Sequence, residues 1–258
     1  MSRISVKDTS LQSVEHPSPA ARGGHVLSDR LRRGSGATRI VVTTFGILAA
    51  LAGIEHGIGE ILQGPGAPDG LMIRSWPDAE AMEVLQGEPA LTVIPDLLVA
   101  GVLTVLVAAA TAIWSVTSAD RRSRGIGLIV LSAVLLVVGG GFGPALVLVI
   151  LGIAATRVDV VPRRPPGPVW QVTARAWPWF TAAGAVGYLG LMPGTVVLST
   201  LGFESAGLTV GLSLLAFGGL VGALITARAR DRTGSITLSM PPGRARKLAP
   251  PTHGRSGC

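Results

Sequence analysis

Charge is scarce in this chain. Only 14% of its 258 residues are Asp, Glu, Lys or Arg, against about a quarter in a typical soluble domain. The deficit lies in long uncharged tracts, each near the ~20 residues that cross a bilayer as a helix, which excludes an ordinary soluble domain. Cysteine is scarcer still. The one thiol, Cys258, is the final residue, so no internal disulfide can form. The ending Arg255-Ser-Gly-Cys258 is not a prenylation box. Lysine is nearly absent, 2 against 20 arginines, a usage that points to a GC-rich bacterial genome. No Gly-x-Ser-x-Gly elbow, Walker A loop or Cys-x-x-Cys pair occurs, so there is no case for nucleophilic catalysis and no enzyme is expected. His56 is the one histidine within an apolar tract, which excludes a b-type haem held by two intramembrane histidines of one chain. No cofactor is implied.

What remains is apolar, glycine-rich and punctuated. The reading is an all-α, polytopic transmembrane helix bundle of about six spans. Residues 1–36 are polar and without apolar period, a disordered tail. The bundle covers 37–228, with spans near 40–62, 93–116, 125–140, 143–157, 177–200 and 206–227. Residues 126–156 are too long for one span, since a 31-residue helix is about 46 Å against a ~30 Å hydrocarbon core. The run Gly139-Gly-Gly-Phe-Gly-Pro144 therefore predicts a turn between two short spans. An outer loop, 64–92, carries a candidate surface helix near 78–85 with Asp78 or Ser75 as its cap. Trp170, Trp177 and Trp179 mark an interfacial belt, and Met192-Pro193-Gly194 predicts a kink or break. Residues 229–258 are a second basic, disordered tail.

The net charge of +7 is placed for a membrane, not for nucleic acid, because the basic residues flank apolar tracts. With six spans and both ends cytoplasmic, 21 of the 22 Lys and Arg fall on the cytoplasmic side, as the positive-inside rule requires. The exception is Arg74. Five spans would move Arg157, Arg163, Arg164, Arg175 and the C-terminal tail outside. Ala50-Leu51-Ala52 has the look of a signal-peptide cleavage site, but the preceding segment is too long and the apolar run continues beyond it. The expected location is the bacterial cytoplasmic membrane, with the lipid bilayer as partner and anionic headgroups met by the Arg-rich tails.

Glu55, His56 and Glu60 interrupt the first span, and ionisable groups in lipid are expensive and usually functional. At 100° per residue they share one half of the helix with Ala49, Ala52, Gly53, Gly59 and Gln63. Ile47, Leu51, Ile54, Ile58, Ile61 and Leu62 fill the other half. Small residues on the charged side permit close helix approach. Asp96, the 139–144 turn, the break at 192–194 and Arg74 are all predicted at the same outer level. The candidate binding residues are thus Glu55, His56, Glu60, Asp96 and Arg74, with His56 and Glu60 as candidate metal ligands. Carboxylates with a histidine suit Zn²⁺, Mn²⁺ or Fe²⁺, and the same groups could relay protons. The spacing Glu-His-x-x-x-Glu is not a zincin motif. Asp96 also reads as a plain helix cap.

The stretch Ala52-Gly-Ile-Glu-His-Gly-Ile-Gly-Glu-Ile-Leu-Gln-Gly64 resembles the signature of an uncharacterised family of bacterial multi-pass membrane proteins. So do Gly87-Glu-Pro-Ala-Leu-Thr-Val-Ile-Pro-Asp96 and the 139–144 run. The resemblance spans roughly residues 40–157, implies a membrane fold and brings no activity with it. Two functions are favoured on this reading, and a third, an envelope enzyme, would need more polar residues in the outer loops than the sequence holds. One is binding or transport of a cation or small solute at an outward-facing acidic, histidine-containing site. The other is a structural or assembly role in the envelope. There the charges act as helix glue, with Glu55 and Glu60 paired to Arg74 or to each other. A membrane-protein partner or homo-oligomer fits either.

Overall fold

A computed structural model describes residues 36–77, 87–118, 120–157, 168–192, 194, 197, 201 and 205–239. Its main elements are helices: α1 (Ala37–Gln63), α2 (Leu97–Thr117), α3 (Arg121–Val138), α4 (Phe142–Thr156), the short α5 (Pro168–Thr173), α6 (Trp177–Leu191) and α7 (Ala206–Ser239). Three of them, α1, α2 and α7 as far as Thr233, are long and apolar enough to cross a membrane, and α4 is a shorter apolar helix.

Local sequence explains the boundaries. Asp96 caps α2 by accepting from the Val99 N–H at 2.9 Å, and Asp120 caps α3 by accepting from Ser123 N–H at 2.8 Å, each satisfying a donor that the helix start leaves open. Gly139 and Gly141, both at positive φ, reverse the chain between α3 and α4 within three residues. The expected two-helix hairpin is therefore present, from 121 to 156.

Helix α1 is the hub, packing on α2, α4, α6 and α7. Gly57 and Gly101 bring α1 and α2 into backbone contact. A Cβ on either would lie 2.5–2.7 Å from the other's carbonyl oxygen. Gly184 and Gly187 of α6 lie against Gly219 and Ala216 of α7 in the same manner. Pairings such as Gly46 with Ser115 and Gly53 with Ala108 run in opposite directions along the two chains, so α1 and α2 are antiparallel, as are α3 and α4 through Gly125–Gly152 and Ser132–Ala145. The core gathers Val41, Phe45, Leu128, Leu135, Leu148, Leu151, Tyr188 and Leu220. The apolar exterior includes Leu51, Ile58, Leu62, Leu106, Ile113, Leu214 and Val221, as a lipid-facing surface requires.

Three details depart from the sequence reading. The segment between α1 and α2 carries two short strands, β1 (Met72–Arg74) and β2 (Pro89–Leu91), paired antiparallel with Ile73 opposite Ala90. They tie to the bundle through Val93 N–H to Val137 O and Leu97 N–H to Gly66 O. The second span starts at Leu97 rather than 93, because Thr92 and Val93 are spent on those loop contacts. Helix α6 stops at Leu191, at the break expected at Met192-Pro193-Gly194, and Gly194 and Val197 beyond it are helical again. Helix α7 runs on to Ser239, through the first part of the expected disordered tail. The surface helix expected near 78–85 lies outside the described residues.

Candidate functional site

The face of α1 that the helical projection sets against other helices is the buried one. Ala49, Ala52, Gly53, His56, Gly59 and Glu60 are buried, while Leu51, Ile58 and Leu62 are exposed. His56 is held rigidly. Its Nδ1 lies 3.0 Å from the Ala52 carbonyl oxygen. A carbonyl cannot donate, so Nδ1 carries the proton and Nε2 is left facing away from α1. That ring nitrogen lies 3.5 Å from Glu88 Oε2.

Glu88 is the residue that sequence reasoning missed. It reaches the site from the loop before β2, and its backbone is left-handed, with φ 54°, directly after Gly87 at φ 72°. Ser75 N–H donates to the Glu88 carbonyl and Trp76 N–H to that of Gly87. The extended ladder thus holds this unfavourable conformation in place and sends the Glu88 side chain inward, 4% exposed. Strain of this sort in a non-glycine residue is of order 1–3 kcal/mol and collects at functional positions. No helical spacing links residue 88 to residue 56, so only a backbone constraint in the loop, Gly87 before and Pro89 after, hinted at it.

One oxygen from Glu55, one from Glu88 and a nitrogen of His56 all lie within 4.8 Å of one another. Among the described residues, no donor hydrogen-bonds the carboxylate oxygens of Glu55, Glu60 or Glu88. The Trp76 indole lies beside the Glu55 carboxylate but is not aligned to donate to it. The Tyr188 hydroxyl, buried on α6 and also without a hydrogen-bond partner, lies within electrostatic reach of Glu88 and Glu55. Tyr188 is the only tyrosine in the chain. A mid-helix phenol in an apolar run needs a polar neighbour, which is the signal that could have found it.

Two glycines close the site from the other side. A Cβ on Gly141 would fall 2.1 Å from His56 Nε2, and one on Gly139 would fall 2.3 Å from Glu60 Oε1. The turn expected from sequence is therefore also a lid, made without side chains exactly where the ring nitrogen and a carboxylate need room. Glu60, fully buried, sits under Gly139 and is not one of the three converging ligands.

The remaining candidates lie elsewhere. Asp96 spends its carboxylate on the α2 cap. Arg74 is exposed on β1 and makes no salt bridge to Glu55 or Glu60 among the described residues. Its backbone carbonyl, with that of Ser75, accepts from Gln63 Nε2 at 3.1–3.2 Å and so pins the strand to the end of α1. Met192, at the break after α6, packs beside Gly143, so that break does share the level of the lid.

The electrostatics are one-sided. Burial, and then the neighbouring Glu55 carboxylate, push Glu88 well above the usual carboxylate range. Holding several carboxylates in a poorly solvated site needs a cation or protons as counter-charge. Comparison with protein-family models, curated proteins and solved structures finds no match to this chain.

Proposed function

We propose that the protein is a six-span membrane protein of the bacterial cytoplasmic membrane, with both termini inside, and that it binds a cation at the loop end of the bundle. Glu55, His56 and Glu88 are the ligands. The observation that carries this reading is the convergence of three ligand atoms within 4.8 Å, from a helix and a strained loop distant in sequence, with no protein donor to the carboxylates among the described residues.

The chemistry selects among ions. Ligands about 2.1 Å from a tetrahedral ion stand about 3.4 Å apart, close to the 3.5 Å between His56 Nε2 and Glu88 Oε2. A small rotation of the Glu55 carboxylate completes the set. An imidazole favours Zn²⁺, Mn²⁺ or Fe²⁺ over Mg²⁺ or Ca²⁺, which prefer all-oxygen shells. The Ala52 carbonyl on Nδ1 is the outer partner that a metal-binding histidine ordinarily has. Placement beside a loop, inside a bundle that crosses the bilayer, suits uptake or sensing of such an ion.

The test is thermal unfolding of the purified protein in nanodiscs, titrated with Zn²⁺, Mn²⁺, Fe²⁺, Mg²⁺ and Ca²⁺. A ligand that binds the native state at 100 times its Kd adds about 2.7 kcal/mol. The first three ions should raise the midpoint, and Glu88→Gln and His56→Ala should abolish the rise. No response to any ion, with Glu88→Gln behaving as wild type, returns the cluster to the role of helix glue.

A further inference from the structure

The opposite end of the bundle carries a second, unrelated feature. The start of α1, the start of α3, the end of α4 and the far part of α7 enclose an open cleft. Its enclosed volume is only about 20 Å³, room for a water-sized group such as a single phosphate oxygen, and it is lined by Gly36, Thr38, Arg39, Val42, Arg124, Ala155 and Asp231. Val42 and Ala155 supply apolar wall, and Arg39 and Arg124 lie beside Asp231.

The charges around the cleft do not cancel. At this end the described side chains include Arg39, Arg122, Arg124, Arg157, Arg175, Arg228, Arg230 and Arg232, against only Asp120 and Asp231. Both carboxylates are engaged as helix caps. Asp231 accepts from the backbone N–H groups of Ala37 and Thr38 at 2.7 and 3.0 Å, so it closes the start of α1 from the far end of the chain. Asp120 caps α3. Arg228 is anchored on the Ala154 carbonyl at 3.3 Å, next to the cleft, and lies within electrostatic reach of Arg232 and Arg157. Like charges gathered around a low-dielectric groove focus a field that favours an anion.

The surroundings say which anion. Arg232 lies over the Trp170 ring, 5.6 Å from its centroid, and Trp170 and Trp179 are exposed at this end. Exposed tryptophans at one end of an apolar bundle mark the headgroup level. An occupant there meets guanidinium groups at the rim and apolar side chains below, the two halves of a phospholipid.

We propose that the mouth of this cleft is where the phosphate of an anionic phospholipid headgroup docks from the bilayer, with Arg39 and the neighbouring Arg157 contacting the phosphate and Arg228 holding the wall. It rests on the bundle spanning a membrane and is independent of the cation site. Basic pockets between transmembrane helices recognise such headgroups on general electrostatic grounds.

The experiment is native mass spectrometry and thermal unfolding of the detergent-purified chain with added phosphatidylglycerol, phosphatidylcholine or inorganic phosphate. Arg39→Gln and Arg157→Gln are the variants, since neither side chain makes a hydrogen bond or ion pair among the described residues. The expected result is retention of one or two anionic lipids, at least tenfold stronger than for phosphatidylcholine, weakened by salt and lost in the double variant. Equal retention of the two lipids, or anionic-lipid retention unchanged in the double variant, overturns the proposal. Stabilisation by inorganic phosphate equal to that by phosphatidylglycerol overturns the lipid assignment in favour of a soluble anion. Failure of the chain to enter nanodiscs overturns the membrane premise instead, a separate result.

Discussion

Glu88 concentrates the chemistry of the candidate site. Its carboxyl is raised above the ordinary 4.5 by burial and by Glu55. A carboxyl raised on folding adds stability below its unfolded value and loses that contribution as pH rises through the folded value. The ion-free protein should therefore unfold more easily as pH climbs from about 4.5. Added Zn²⁺ should restore stability most at the high end, because metal binding displaces protons. Glu88→Gln should flatten the pH profile and remove the Zn²⁺ response together; thermal unfolding across pH 4–9 reads both. If the ion-free profile keeps its slope in Glu88→Gln, the assignment to this residue fails. Gly141 supplies a second check. Its φ of 77° and ψ of 154° belong to a region almost restricted to glycine. Gly141→Ala should cost about 1–3 kcal/mol and also block His56 Nε2, so the Zn²⁺ response should vanish even in the fraction that folds.

Among the elements, α2 separates stability from binding. Asp96 lies at the same end of the bundle as the site, yet its carboxylate is a helix cap. Asp96→Ala should lower stability by about 1 kcal/mol and leave the Zn²⁺-induced rise in unfolding midpoint unchanged. A loss of that rise would make Asp96 a ligand after all. The β1–β2 pair has the opposite character. It contributes little core of its own, but its ladder positions Glu88 over His56. Gln63→Ala, which frees β1 from the end of α1, should weaken Zn²⁺ binding several-fold with a small change in stability, measured by calorimetry and denaturation side by side.

For the whole molecule, close helix approach is the organising fact. Gly57 and Gly101 touch through their backbones, one turn from Glu55, His56 and Glu60. Gly101→Leu must separate α1 from α2. Overpacking of this kind costs about 1–3 kcal/mol, and the Zn²⁺ response should fall as well because the ligands ride on α1. The proposed six-span arrangement has its own test. Cys258 is the one native thiol, so a membrane-impermeant maleimide should leave it unlabelled in intact cells, whereas Gly66→Cys in the outer loop should label. Labelling of Cys258 from outside would invert or reduce the span count.

Much of the fold was legible because lipid imposes simple rules. Long uncharged tracts, a glycine-rich reversal at 139–144 and Asp96 before an apolar run located helices, a hairpin and one cap from residue types alone, whereas the Asp120 cap emerged only in the structure. The Glu55–His56–Glu60 face followed from helical period, since residues on one helix keep fixed angular relations whatever surrounds them. The partners of that face did not. Glu88 reaches the site from a loop and Tyr188 from a helix more than a hundred residues away, and Arg74, exposed on β1, makes no salt bridge to them among the described residues. Asp231 reaches α1 across the whole chain in the same way. The chain by itself determined which segments are helical and which side of α1 is polar, because those depend on local period and solvation. Tertiary packing alone decided which charges meet, because that depends on where glycines let backbones touch and where a strained loop turns its side chain inward.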